Sequence, residues 1–177
     1  MNYRVKQNFL QIQEDIAPYR LNIIAVTKYF DERAIIEAYQ AGLRDFGESR
    51  VIEASEKISR LPEEVRENSN FHFIGHLQTN KVKKVIEVFD FIHSVDSLKL
   101  AEKISEEALK IGKIQKILVQ VNNANEEQKF GFSKKELFES FGKIVVLRNV
   151  KDLFYQIDFL ISLFLRLSRI NYNRSNS

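Results

Sequence analysis

Short apolar runs alternate with amphipathic stretches along most of this chain. The runs lie near 21–27, 43–46, 71–74, 91–95 and 115–121, each too short to make a stable helix alone. Between them, 31–41, 48–60, 77–88, 97–111 and 133–144 carry apolar residues three and four positions apart, the period of a helix with one face turned to a core. In 77–88, Leu77, Val82, Val85 and Ile86 share a face with Phe89, while Lys81, Lys83, Lys84 and Glu87 face water. Asp31 and Ser97 mark helix starts, because their side-chain oxygens accept from free backbone N–H groups. Gly42 and Gly112 stand where helices should stop, since glycine takes the left-handed cap conformation at little cost.

Strand alternating with helix predicts a parallel sheet covered by helices. Successive runs start 22, 28, 20 and 24 residues apart, which suits β/α units and predicts about five of them. A doubly wound sheet and a (β/α) barrel both satisfy this pattern. No glycine-rich dinucleotide fingerprint follows the first strand, so the barrel is the better expectation, in an incomplete TIM-type form. Barrels place ligand chemistry at the C-terminal ends of strands, where Lys28, Gly75, Asp96 and Asn122 fall. The rhythm breaks after Lys151. Residues 1–151 read as one partial barrel and 152–177 as an atypical tail, with no glycine after Gly142. Its apolar stretch 159–165, flanked by Asp158 and Arg166, falls far short of the roughly 20 residues of a membrane span. A terminal strand, a helix on the barrel or an exposed end would all fit it.

Composition narrows the function classes. The net charge of +3 is spread along the chain, so no basic arm points to nucleic acid. Cysteine is absent and only His72, His76 and His93 are available, which excludes disulfides and thiolate metal sites and offers no zinc spacing. Met1 to Gln13 is polar and amphipathic and lacks the apolar core of a secretion signal. The expectation is a cytoplasmic protein with neither a membrane nor a nucleic-acid partner.

Period-2 alternation puts Ile24, Val26 and Lys28 on one face of the first strand and Ile23, Ala25 and Thr27 on the other. Both faces are apolar, so the strand is central and Lys28 emerges at its C-terminal edge. Partial desolvation there would favour the neutral amine that imine formation requires. A lysine that simply ends a strand and reaches water is the plainer alternative. If Phe71 and Phe73 face the helices, His72 and Ile74 face the barrel interior, where His72 is either a ligand neighbour or a hydrogen-bonded core histidine. His93 and Ser94 carry the same ambiguity, Ser94 aligning with Ile92. His76 reads as a loop or helix-entry residue. Gly75-His76-Leu77-Gln78-Thr79-Asn80-Lys81 reads as a strand-to-helix turn whose backbone N–H groups could meet an anion. Glu126 and Glu127 beside Lys129 read as a solvated loop.

Together these pieces resemble the YggS/PROSC family, the pyridoxal phosphate homeostasis proteins with an alanine-racemase-like barrel. The matching stretches are Ala25-Val26-Thr27-Lys28, Phe46-Gly47-Glu48-Ser49-Arg50, the ten residues from His72 to Lys81, His93-Ser94-Val95-Asp96, Val119-Gln120-Val121-Asn122 and Glu127-Gln128-Lys129-Phe130-Gly131-Phe132. They occur in family order across about residues 3–151. The resemblance implies that Lys28 holds pyridoxal 5′-phosphate as a Schiff base, an internal aldimine. His72, Asn80 and Lys129 match motif positions around the same mouth, which implies supporting roles in cofactor binding. It implies a cofactor carrier in intracellular homeostasis without established turnover, with pyridoxal phosphate-dependent apoenzymes as candidate partners. No catalytic residue and no metal ligand is implied.

The family pattern continues past the Asn149-Val150-Lys151 position with further βα units and a Gly-Ser-Thr…Val-Arg motif that resembles the phosphate site barrels build after their last strands. Those residues are absent here, and the tail from about Lys151 looks like a reading-frame change or degraded end. Two other expectations follow: a truncated fragment without cofactor function, and a racemase-like enzyme supported by fold alone.

Overall fold

The computed structural model describes residues 3–19, 21–122 and 130–152. Its centre is a six-stranded, wholly parallel sheet in which strands pair in chain order. The strands are β1 (Ile24–Val26), β2 (Asp45–Glu48), β3 (Asn70–Phe73), β4 (Phe91–Val95), β5 (Gln115–Val119) and β6 (Val150–Asp152). The helices are α1 (Tyr3–Ile16), α2 (Glu32–Gln40), α3 (Val51–Ser59), α4 (Glu63–Glu67), α5 (Val82–Val88), α6 (Leu98–Lys110) and α7 (Lys134–Val145). Five β/α units are therefore complete, as the pattern predicts, and a sixth strand follows them. That strand ends on Asp152, one residue into the stretch read as tail; 153–177 lies outside the described residues. Among the described residues β1 pairs with β2 alone and β6 with β5 alone, so the barrel is not closed.

Element ends follow local chemistry. Asp31 accepts from the backbone N–H of Arg33, and Ser97 from that of Leu100. Ser133 and Glu136 form a reciprocal capping box at α7. After α2 and α6 the chain turns through Gly42 and Gly112, at φ of 111° and 66°. The N–H of the following residue then reaches back five positions, Leu43 to Ala38 and Lys113 to Ala108, each at 3.0 Å. These bonds satisfy carbonyls that the helix ends leave free. Two helices add to the predicted set. Val5, Phe9, Ile12 and Ile16 are half-buried along α1 at four- and three-residue spacing, and α4 is a short turn after Pro62 that buries Val65.

The two sheet faces differ in chemistry. The helix-side face holds the apolar core, including Phe46, Phe71, Phe73, Phe89, Ile92, Ile117 and the helix residues Ile35, Val85, Ile104 and Ile144. Ile23 and Ala25 pack against that core, whereas Ile24 and Val26 lie beside Gly47 and Ile74 on the other face. The alternation predicted for β1 and β3 is thus observed. His93 faces inward by alternation with Ile92, and a register shift between Ile92 and Val95 in β4 returns Val95 to the helix-side core, the usual effect of an extra residue in one strand. Phe46 is fully buried with its ring centroid 6.1 Å from that of Phe71. Phe46→Ala should lower unfolding free energy by roughly 3–5 kcal/mol, read as a fall in the urea midpoint.

Candidate functional site

A parallel sheet brings every strand's C-terminal end to one rim, and the sequence-predicted residues divide between that rim and the inner face below it. Lys28 stands two residues beyond β1, half-buried in the turn from Thr27 to Phe30. The turn closes through Phe30 N–H donating to the Thr27 carbonyl at 3.0 Å. The Lys28 ammonium nitrogen lies 5.1 Å from the centroid of the Tyr29 ring.

What holds this turn comes from behind the sheet. Thr27 N–H donates to the Gly47 carbonyl at 3.0 Å, extending the β1–β2 ladder by one step. Thr27 Oγ1 donates to Glu48 Oε1 at 2.8 Å. Lys57 Nζ, from α3, donates to that same carboxylate oxygen at 2.7 Å and to the Thr27 carbonyl at 2.9 Å. The Glu48 and Lys57 side chains are only 2% and 8% exposed, so this is an ion pair inside the protein. Sequence reasoning missed it, although a signal was present. Glu48 lies in alternation with the core residue Phe46, and Lys57 falls on the same α3 stripe as the buried Val51, Ala54 and Ile58.

His72 is buried on the inner face, with both ring nitrogens engaged. Nε2 is 2.9 Å from Asp45 Oδ1 and Nδ1 is 2.9 Å from His93 Nε2. Its ring stacks on Phe91, centroids 4.3 Å apart and planes 9° apart. Lys116 Nζ also lies over Phe91, 4.5 Å from that ring's centroid. Burial drives the His93 imidazole down to about 3, with the electrostatic influence of His72 adding to it, so the ring is neutral near neutral pH. Burial alone would raise the Asp45 carboxyl. Hydrogen bonds from His72 and Asn70, with the charges of His72 and Lys116, outweigh this and hold it below the usual carboxylate range.

Asn80 sits exposed on the short turn Thr79–Lys81 before α5. The stretch from Gly75 to Lys81 is the strand-to-helix turn the sequence predicts. Gly75 is required there, because a Cβ would lie 2.3 Å from the Ser49 carbonyl oxygen. His76 stacks on Phe130 at 3.7 Å, and its Nδ1 lies 3.6 Å from Asp96 Oδ2. The Ser94 hydroxyl, near the rim end of β4, is buried with no hydrogen-bond partner among the described residues. Glu126, Glu127 and Lys129 lie outside the described residues. Among those described, no group of His, Asp and Glu could hold a metal ion, and no helix is long and apolar enough to cross a membrane.

Residues 3–153 match the family described as alanine racemase, N-terminal domain. The chain belongs to that family. A relative named pyridoxal phosphate homeostasis protein, from Synechocystis sp., is 40% identical over 134 residues, which is 76% of this chain and 61% of the relative. The chain therefore spans about three fifths of that relative's length. PipY of Synechococcus elongatus, solved with PLP bound, aligns with a TM-score of 0.74 at 34% identity over 84% of this chain and 67% of PipY. An alanine racemase of Clostridium difficile aligns with a TM-score of 0.65 at 15% identity over 85% of this chain and 39% of its own, a likeness of fold alone. Within the family, relatives that share 37–40% identity with this chain are named pyridoxal phosphate homeostasis proteins.

The His93 shift sets a pH dependence. The unfolded chain takes up this proton near pH 6.5 and the folded protein only near 3, so the stabilisation is complete above 6.5 and lost as pH falls toward 3. Asp45, also depressed, adds its loss below its ordinary value. Urea unfolding between pH 7 and 4.5 should show stability falling by up to about 1.4 kcal/mol per pH unit, and His93→Gln should flatten the slope.

Proposed function

We propose that this chain binds pyridoxal 5′-phosphate covalently through Lys28 and serves intracellular homeostasis of that cofactor. The observation that carries the reading is a primary amine presented at the strand C-terminal rim from a turn whose preceding residue is pinned by a buried ion pair. Relatives named for pyridoxal phosphate homeostasis, and PipY with PLP bound, support it.

The residues present fit the reactive end of the cofactor. When bound, pyridoxal phosphate supplies an aldehyde that condenses with an amine and a conjugated ring that withdraws electrons. Lys28 supplies the nucleophilic nitrogen, and its half-buried position limits the water around it. Ser94 offers an unsatisfied hydroxyl near the rim, and the inner-face imidazoles of His72 and His93 hold a fixed polar floor beneath it. Asn80, exposed on the rim turn, and Lys129 complete the candidate set, as supporting residues. Handing the cofactor to pyridoxal phosphate-dependent apoenzymes is the partner relationship this function entails. A cytoplasmic setting goes with it, supported by a cysteine-free composition that suits a reducing compartment.

Purified protein incubated with pyridoxal phosphate, reduced with borohydride and digested should carry the reduced adduct on the peptide containing Lys28. Lys28→Ala should abolish it. Adducts scattered over surface lysines, unchanged by Lys28→Ala, would sink the reading.

A further inference from the structure

An ion pair buried where α3 meets the ends of β1 and β2 asks for a reason. Breaking one partner of such a pair is strongly destabilising, yet well-packed apolar residues often serve stability as well or better. Stability is therefore a poor explanation for placing a lysine on the apolar stripe of α3. What the pair contacts is more informative. The Lys57 ammonium divides its hydrogen bonds between Glu48 and the carbonyl of Thr27, and Glu48 in turn accepts from the Thr27 hydroxyl. With Thr27 N–H bonded to Gly47 and its carbonyl also accepting from Phe30, every polar group of Thr27 is committed. The next peptide unit begins Lys28.

We propose that Glu48 and Lys57 are positioning residues for Lys28: acting through Thr27, they fix the peptide from which the lysine side chain departs, so that its amine is held at the rim for attack on a carbonyl. The pair touches neither the amine nor a reacting atom. It acts by removing backbone freedom, and misplacement of a reacting group by a small distance is enough to cost rate. This deepens the cofactor reading above and rests on it for the identity of the carbonyl compound.

Two labelling reactions separate positioning from general damage. In the first, pyridoxal phosphate is added and the mixture reduced with borohydride at timed intervals. The Lys28 nitrogen bonds to the aldehyde carbon, water leaves, and borohydride reduces the resulting C=N bond. In the second, formaldehyde with cyanoborohydride methylates amines according to accessibility. Peptide mass spectrometry reads both, with Lys113 as internal control. Lys113 is half-buried elsewhere in the fold, donating to the Ile86 and Phe89 carbonyls, so unfolding would expose it too.

Lys57→Met should capture pyridoxal phosphate on Lys28 about tenfold more slowly. Lys57→Arg should restore the rate to within about twofold, because a guanidinium can donate to both the carboxylate and the carbonyl. Thr27→Val, which keeps the ion pair but removes one of its hydrogen bonds, should lose about fivefold. Methylation should move the opposite way, rising at Lys28 and unchanged at Lys113. Capture and methylation at wild-type rates in folded Lys57→Met and Thr27→Val would overturn the proposal. Should Lys57→Met fail to fold, Thr27→Val decides by the same criterion. If the wild-type protein captures no pyridoxal phosphate, the cofactor reading fails separately. Methylation then decides the positioning: a rise at Lys28 alone supports it, and unchanged labelling overturns it.

Discussion

Everything in this protein depends on the strands running the same way. A parallel sheet cannot be joined by tight hairpins, so each strand must be followed by a crossover, and the crossovers cover one face with helices. The same constraint sends every strand's C-terminal end to one rim. Lys28, Ser49, Gly75, Asp96 and Asn122 are therefore neighbours in the fold though scattered along the chain. Close approach at this rim is tight enough that Gly75 has no room for a side chain beside Ser49. The chemistry the chain can perform is set by what those ends present.

The two faces of the sheet then divide the labour. Toward the helices the residues are apolar and fully packed, with Phe46, Phe89, Ile92 and Ile117 excluded from water. Toward the inside, Asp45, His72 and His93 are joined by two short contacts. Buried polar groups are costly unless they find partners, and here the partners are one another. Among the charges that enter the helix side is the Glu48–Lys57 pair, which bonds Thr27, the residue before Lys28.

The elements that carry a strong period were legible in the sequence. Five strand runs, five amphipathic helices, the caps at Asp31 and Ser97 and the stops at Gly42 and Gly112 all depend on local rules that act within a few residues. Alternation along β1 also puts Lys28 at the strand's C-terminal edge, while the cofactor role expected of it rests on the family resemblance. Other features depend on contacts between distant segments. β6 is three residues long and gains its identity only by pairing with β5. Lys57 looks like an ordinary charge in an amphipathic stretch until β2 brings Glu48 against it. His72 and His93 were each visible as inward-facing candidates, but their mutual contact requires the β3–β4 register. Sequence patterning placed Lys28 at the end of β1; long-range packing set the hydrogen bonds around Thr27 before it.

Presentation of Lys28 depends on rigidity at one short turn. Amide hydrogen exchange of the cofactor-free protein measures it directly. If Thr27 is pinned by Gly47, Glu48 and Lys57, the backbone N–H groups of Thr27 and Phe30 should exchange as slowly as that of Ile74, which donates to Glu48 within the extended sheet. Exchange at both positions as fast as that of an exposed loop would mean that Lys28 leaves from a loose turn, and would contradict the account.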